Sequence, residues 1–141
     1  MPERSPADDA PQRVCASADL PERGRAALFD LLEHGEPMRA FALRIDGTAR
    51  AYLNRCAHVP MELDWTPGEF LDAEREFIIC STHGAVYAPA TGHCLGGPCG
   101  RGHLTPVDVV ERAGVVWWLP SASLKPLAPL PPAPPPETTQ R

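Results

Sequence analysis

The sequence predicts an all-β fold, an antiparallel sandwich or small barrel, on three observations. Apolar residues alternate with small or polar ones over short runs, turn residues recur roughly every eight to twelve positions, and no helical period is sustained. Both ends of the 141-residue chain read as tails. Residues 1–13 hold three prolines and no aromatic residue, and 121–141 hold seven prolines, compositions that cannot build a packed face. The folded domain is expected over 14–120, near the commonest domain size and large enough for an apolar core without disulfide staples.

Taken in order, Arg25–Glu33 (RAALFDLLE) has apolar spacing that fits a short helix or a buried strand. A strand is preferred, with His34-Gly35-Glu36-Pro37 as its turn. Phe41, Leu43 and Ile45 alternate with Ala40, Ala42 and Arg44, the turn pair Asp46-Gly47 follows, and Thr48–Tyr52 resumes the alternation, which is a tight hairpin. Phe77, Ile78 and Ile79 make a short strand-forming run before Cys80. Val107–Glu111 and Val115–Leu119 flank Arg112-Ala113-Gly114 as a second hairpin. Between Tyr52 and Val107 the pattern is irregular, and so long an irregular stretch inside a compact domain usually carries function.

The formal charge is −5, and the thirteen basic residues, twelve of them Arg, form no cluster that would neutralise a row of phosphates. Nucleic acid is not an expected partner. The first residues lack a basic-then-apolar leader pattern, and the longest strongly apolar stretch, Val115–Leu119, is far short of the ~20 residues of a membrane helix. A soluble, cytoplasmic protein with no membrane partner is expected. In such a compartment its five cysteines are more often metal ligands, catalytic groups or core than disulfides.

Four soft or borderline ligands stand in the irregular region as two pairs, Cys56-Ala57-His58 and Cys80-Ser81-Thr82-His83. Each pair offers one thiolate and one imidazole from a short loop, a set suited to zinc or iron and wrong for magnesium or calcium. The surrounding sequence favours iron: Gly84 lets the backbone pass close to a bulky centre, and the loop Gly96-Gly97-Pro98 follows. An iron-sulfur cluster needs backbone donors and shielding from several loops, whereas a structural zinc ion needs neither.

Cys56-x-His58 and Cys80-x-x-His83-Gly84, followed by Tyr87, Gly92 and Gly96-Gly97-Pro98, resemble the Rieske 2Fe-2S domain, in particular its soluble ferredoxin members. The resemblance implies a Rieske-like sandwich or small barrel with a two-loop cluster-binding subdomain and one 2Fe-2S cluster. It implies that Cys56 and Cys80 bind the inner iron, that His58 and His83 bind the outer iron, and that residues 96–99 form a third covering loop. Gly84, Ala85, Tyr87, Gly97 and Pro98 would surround the cluster, and no catalytic residue is expected. Met61 and Thr82 stand near where high-potential members have two disulfide-bonded cysteines, and Ala85 replaces their serine, while Tyr87 keeps the hydroxyl that donates to a cysteine ligand. A potential in the lower half of roughly −150 to +300 mV is expected.

The gap between His58 and Cys80 holds 21 residues and includes Glu62, Asp64, Glu69, Asp72, Glu74 and Glu76 against Arg75, so segment 62–76 nets the whole formal charge. It is read first as a solvated face and second as a docking surface for a basic partner. Trp65 and Phe70 are read as anchors of this insert. Cys94 and Cys99 are close enough in sequence for a disulfide, but two reduced, partly buried thiols are expected in a reducing compartment. Cys15 is read as core, and His34, His93 and His103 as surface histidines. The implied function is one-electron transfer from a reductase to a terminal oxygenase or another redox partner. The alternatives are a small subunit held in a larger, nitrite-reductase-like enzyme, and a structural zinc module for protein binding.

Overall fold

Alternation along the Phe41–Tyr52 hairpin decides how the molecule is layered. The structure, a computed structural model, describes residues 10–57, 61–64, 66–80 and 84–127. Its strands are β1 (Gln12–Ala16), β2 (Ala27–Glu33), β3 (Glu36–Ile45), β4 (Thr48–Leu53), β5 (Ile78–Ile79), β6 (Val86–Tyr87), β7 (Cys94–Gly96), β8 (Pro106–Val107), β9 (Val109–Arg112), β10 (Val115–Trp118) and β11 (Leu124–Lys125). They form a five-stranded sheet in the order β11-β2-β3-β4-β8 and two three-stranded sheets, β1-β10-β9 and β5-β6-β7. Neighbouring strands run antiparallel throughout.

Successive residues of a strand face opposite sides of its sheet, and here both sides are covered. Phe41, Leu43, Ile45 and Tyr52 join one core with Leu63, Phe70, Ile78, Tyr87 and Leu104 from the irregular region. Ala40, Ala42, Ala49, Ala51 and Leu53 face the other way, into a second core with Val116 and Trp118 of β10. The small alanines leave room for Trp118, so large and small side chains interdigitate between the two layers. Phe70 stacks on Phe41 with ring centroids 3.8 Å apart and planes 10° from parallel, which anchors the acidic insert to the central sheet. Trp65, the other anchor expected from the sequence, lies outside the described residues.

The strand expected over Arg25–Glu33 is β2, and the first hairpin is β3 and β4 around Asp46-Gly47. The turn after β2 is shorter than the sequence reading gave: His34 and Gly35 alone make it, and Pro37 pairs with Leu32 inside β3. Proline is tolerated there because β4 pairs with β3 only from Ala40 onward, so no partner calls on the missing N–H. The second hairpin likewise closes on two residues, with Arg112 inside β9 and Ala113-Gly114 as the turn, while Val107 belongs to the separate β8. All three turns place positive φ at both positions: His34 and Gly35 at 50° and 84°, Asp46 and Gly47 at 53° and 82°, Ala113 and Gly114 at 52° and 79°. That backbone twist matches the twist of the flanking strands.

The folded unit also extends past the boundaries expected at 14 and 120. Gln12 and Arg13 pair with β10, and Leu124 and Lys125 pair with β2, with Leu124 buried in the second core. Residues 1–9 and 128–141, the rest of the two expected tails, lie outside the described residues. Among the described residues no helix is long and apolar enough to cross a membrane.

Candidate metal centre

Residues 54–105 leave the central sheet at the end of β4 and return to it at β8, which pairs with β4 through Ala51 and Tyr52. Two loops of this segment are closed in the same manner. The Cys56 amide donates to the Met61 carbonyl (2.8 Å), and the Cys80 amide donates to the Ala85 carbonyl (2.8 Å), five residues on in both cases. The Cys80 carbonyl also accepts from the Gly84 amide (2.8 Å), and Gly84 sits at φ +74°, where a side chain is disfavoured. His58 and His83 fall within these loops in sequence and lie outside the described residues, as do Ser81 and Thr82.

Cys56 and Cys80 are buried, 2% and 0% exposed, in one core cluster with Ala85, Tyr87 and Cys99. Tyr87, at the end of β6, reaches from the second loop to the first. Its hydroxyl lies 3.2 Å from Cys56 Sγ and accepts the Ala57 N–H at 3.0 Å. As a thiol, Cys56 can either donate to this oxygen or accept from it; as a thiolate it can only accept, and the hydroxyl proton is then directed to the sulfur. Burial, then the contact with Cys56, pushes the phenol up from its ordinary value, so it keeps this proton. Ala85 is buried and brings no hydroxyl.

A third loop, 94–102, packs on both others. A Cβ at Gly97, φ +88°, would stand 2.8 Å from the Gly84 carbonyl oxygen and 2.9 Å from Ala85 Cα, and one at Gly102 would stand 2.9 Å from Ala57 Cβ. Only glycine permits either approach. Cys94 and Cys99 span this loop as a disulfide with Cα atoms 5.8 Å apart, which corrects the expectation of two thiols. Compartment is a statistical argument, whereas the turn through Gly97-Pro98 brings these two Cα atoms into disulfide range. Pro98 is exposed, and with Met61 (43% exposed) and Leu95 (56%) it forms part of the outward surface of the loops.

Three supports were missed in the sequence. Asn54, 2% exposed, donates through Nδ2 to Asp64 Oδ1 (2.9 Å) and accepts the Leu63 N–H on Oδ1 (2.8 Å), tying the base of the first loop to the insert. Arg55 makes a two-pronged pair with Glu33 of β2 (2.6 and 2.9 Å), which holds the Glu33 carboxyl below its usual range. Tyr52 donates to the Pro89 carbonyl (2.8 Å), and burial raises its phenol to about 12. The one available signal was an Asn at a strand end, a residue type that bonds nearby backbone.

The acidic insert is less available than its composition indicates. Asp64 accepts from Asn54 and the Gly68 amide, Glu69 pairs with Arg25 (3.3 Å), and Asp72 accepts the Glu76 amide (2.9 Å). Glu62, Glu74 and Glu76 are exposed.

Residues 10–111 match the family described as Rieske [2Fe-2S] domain. The ferredoxin of carbazole 1,9a-dioxygenase from Nocardioides aromaticivorans IC177 superposes with a TM-score of 0.62 at 25% identity, covering 79% of this chain and 99% of that one. The complex of reduced oxygenase and oxidized ferredoxin in carbazole 1,9a-dioxygenase gives 0.61 at 20% identity, covering 79% and 94%. Apo dicamba monooxygenase gives 0.60 at 21% identity, and its match covers 83% of this chain and 35% of that one. At 20% and 21% identity the likeness is one of fold. No curated protein matches the sequence.

Proposed function

Because the chain belongs to the Rieske [2Fe-2S] domain family, and with it to proteins that carry a 2Fe-2S cluster and serve as electron carriers, we propose that Cys56 and Cys80 bind one iron and His58 and His83 the other. The observation that carries this reading is the pair of buried thiols at the same position of two loops closed by the same hydrogen bond. The donor chemistry fits the group. Two thiols and two imidazoles are the Rieske set, and the third loop approaches the second so closely that a Cβ at Gly97 would clash. Family membership displaces the zinc reading.

When bound, the cluster supplies a one-electron couple, and exchanging two thiolates for imidazoles raises its potential into the range of roughly −150 to +300 mV. The chain does the rest. Tyr87 donates to the Cys56 sulfur, and the third loop keeps water from the thiols. Leu95, Pro98 and Met61 present an apolar surface to a partner.

The partner we infer is a terminal oxygenase supplied by a reductase, with this protein shuttling between them. In support, a neighbour that matches along nearly its whole length is a dioxygenase ferredoxin, and related ferredoxins have been solved in complex with their oxygenase. Of the exposed acidic residues Glu62, Glu74 and Glu76, Glu62 stands beside Met61 in the first loop and is the one we place to steer a basic partner, Asp64, Glu69 and Asp72 being engaged within the chain.

The purified protein is expected to hold two iron and two acid-labile sulfide per chain, with the low-average-g EPR signal of mixed Cys/His ligation. His58→Ala and His83→Ala are each expected to lose it. Stoichiometric zinc from cells grown with ample iron, or a cluster that survives both substitutions, would overturn the ligand set. Purification in a fixed complex would overturn the shuttle.

A further inference from the structure

Outside the cluster loops, the sequence leaves His93 and His103 without a role, and the fold brings them together. They form an isolated antiparallel bridge. On one side of it the Leu104 amide donates to the Gly92 carbonyl (2.8 Å), and on the other the Cys94 amide donates to the Gly102 carbonyl (3.0 Å). That pattern makes His93 and His103 a non-hydrogen-bonded pair, the cross-strand position at which side chains approach most closely. Both side chains are exposed, while Leu104, next along the strand, is buried on the opposite face. The ring centroids are 6.1 Å apart and the planes 59° from parallel. At this separation two imidazoles leave room for one ion between them.

A second observation concerns the tautomer. His103 Nδ1 lies 3.0 Å from the Leu104 carbonyl oxygen, so the neutral ring bonds there as Nδ1–H and presents Nε2 as a lone pair. A ring N–H held by a backbone carbonyl is the arrangement that orients metal-binding histidines. The backbone beneath the pair is also fixed. Cys94, adjacent to His93, is in the disulfide, and Gly102, adjacent to His103, packs on Ala57.

We propose that His93 and His103 form a two-imidazole site for a borderline divalent transition-metal ion, Zn2+, Ni2+ or Cu2+, with water at the remaining positions. Two neutral nitrogens and no carboxylate suit this class and not Mg2+ or Ca2+. The site is separate from the cluster ligands and does not depend on the proposed partner.

The test is Zn2+ titration calorimetry on the cluster-loaded protein, with the cluster absorbance recorded throughout. One Zn2+ per chain is expected. His93→Ala and His103→Ala should each weaken it at least about tenfold, since either loss converts a chelate to a single ligand. The double variant should lose little more than either single one, and His34→Ala should change nothing. His93→Gln and His103→Gln, which keep a polar side chain but no imidazole, should repeat the loss with the cluster absorbance intact. No Zn2+ binding, or binding that is undiminished when either histidine is replaced, would overturn the site.

Discussion

A single hydroxyl joins the two halves of the proposed metal centre. Tyr87 accepts from Ala57, and a thiolate at Cys56 can only accept from its hydroxyl, so the phenol favours whichever state of the centre puts more negative charge on sulfur, the reduced one. Tyr87→Phe removes that bond and keeps the ring, and it is expected to lower the reduction potential. Each 1 kcal/mol by which that bond is stronger in the reduced state corresponds to roughly 40 mV for one electron. Protein-film voltammetry checks this, and an unchanged potential with the cluster intact would mean that the hydroxyl does not act on the sulfur. A second residue-scale expectation concerns Glu111, whose two oxygens accept from Arg44 at 2.9 and 2.7 Å. Arg44 pulls the Glu111 carboxyl down to about 2, below the roughly 4.3 of an unfolded chain. A lowered carboxyl contributes stability that is present above the unfolded value and lost as pH falls through the folded one. Glu111→Gln should therefore unfold at lower urea than the parent at about pH 6, and the difference should close as pH falls from about 5 toward about 2. A gap that does not depend on pH would assign it to packing. The effect is small, because the pair is partly exposed.

At the scale of the element, the hairpins were legible and the loops were not. Alternation in Phe41–Ile45 and Thr48–Tyr52, with Asp46-Gly47 between them, fixes strand, turn and register together, because a two-residue turn leaves the register no freedom. Ala113-Gly114 makes the same turn, but alanine seldom adopts positive φ, so the sequence does not mark a two-residue turn there. That Pro37 sits inside β3 is likewise hidden from the sequence, since whether a strand lacks a neighbour at one position is a tertiary fact. The cysteines and histidines of the two loops were visible as spaced pairs. Their supports were not: Asn54 with Asp64, and Gly102 against Ala57, are contacts between segments that carry no local pattern. The third loop gives the element-scale prediction. Gly97→Ala forces a methyl to within 2.8 Å of the Gly84 carbonyl oxygen at a φ that disfavours it, so the third loop must lift from the second. Cluster loss in the presence of a chelator, followed by absorbance, should be faster in this variant. An unchanged half-life would mean that the loop does not cover the centre.

On the scale of the whole molecule, the proposed metal centre lies on an insertion. Residues 54–105 depart from β4 and return to β8, neighbours in one sheet, and the second core beneath is built without them from Leu31, Ala40, Ala42, Val116 and Trp118. Removing the iron should therefore act locally. Hydrogen exchange on the metal-free protein is expected to rise across 56–61, 80–85 and 94–102 and to stay slow in β2, β3, β4 and β10, as befits units that open separately. A uniform rise would show that the cluster holds the base together as well. The same topology orders events in time. The β2-β3-β4 meander pairs residues close in sequence and can form early, while β1 finds its partner only when Trp118 meets Gln12. On a ribosome, which releases the chain from its N-terminal end at about 5 to 20 residues per second, the segment bearing Cys56 and Cys80 emerges before β10 does. For the seconds in between, β1 is an unpaired strand edge, and the thiols are within reach of iron delivery before the fold that covers β1 is complete.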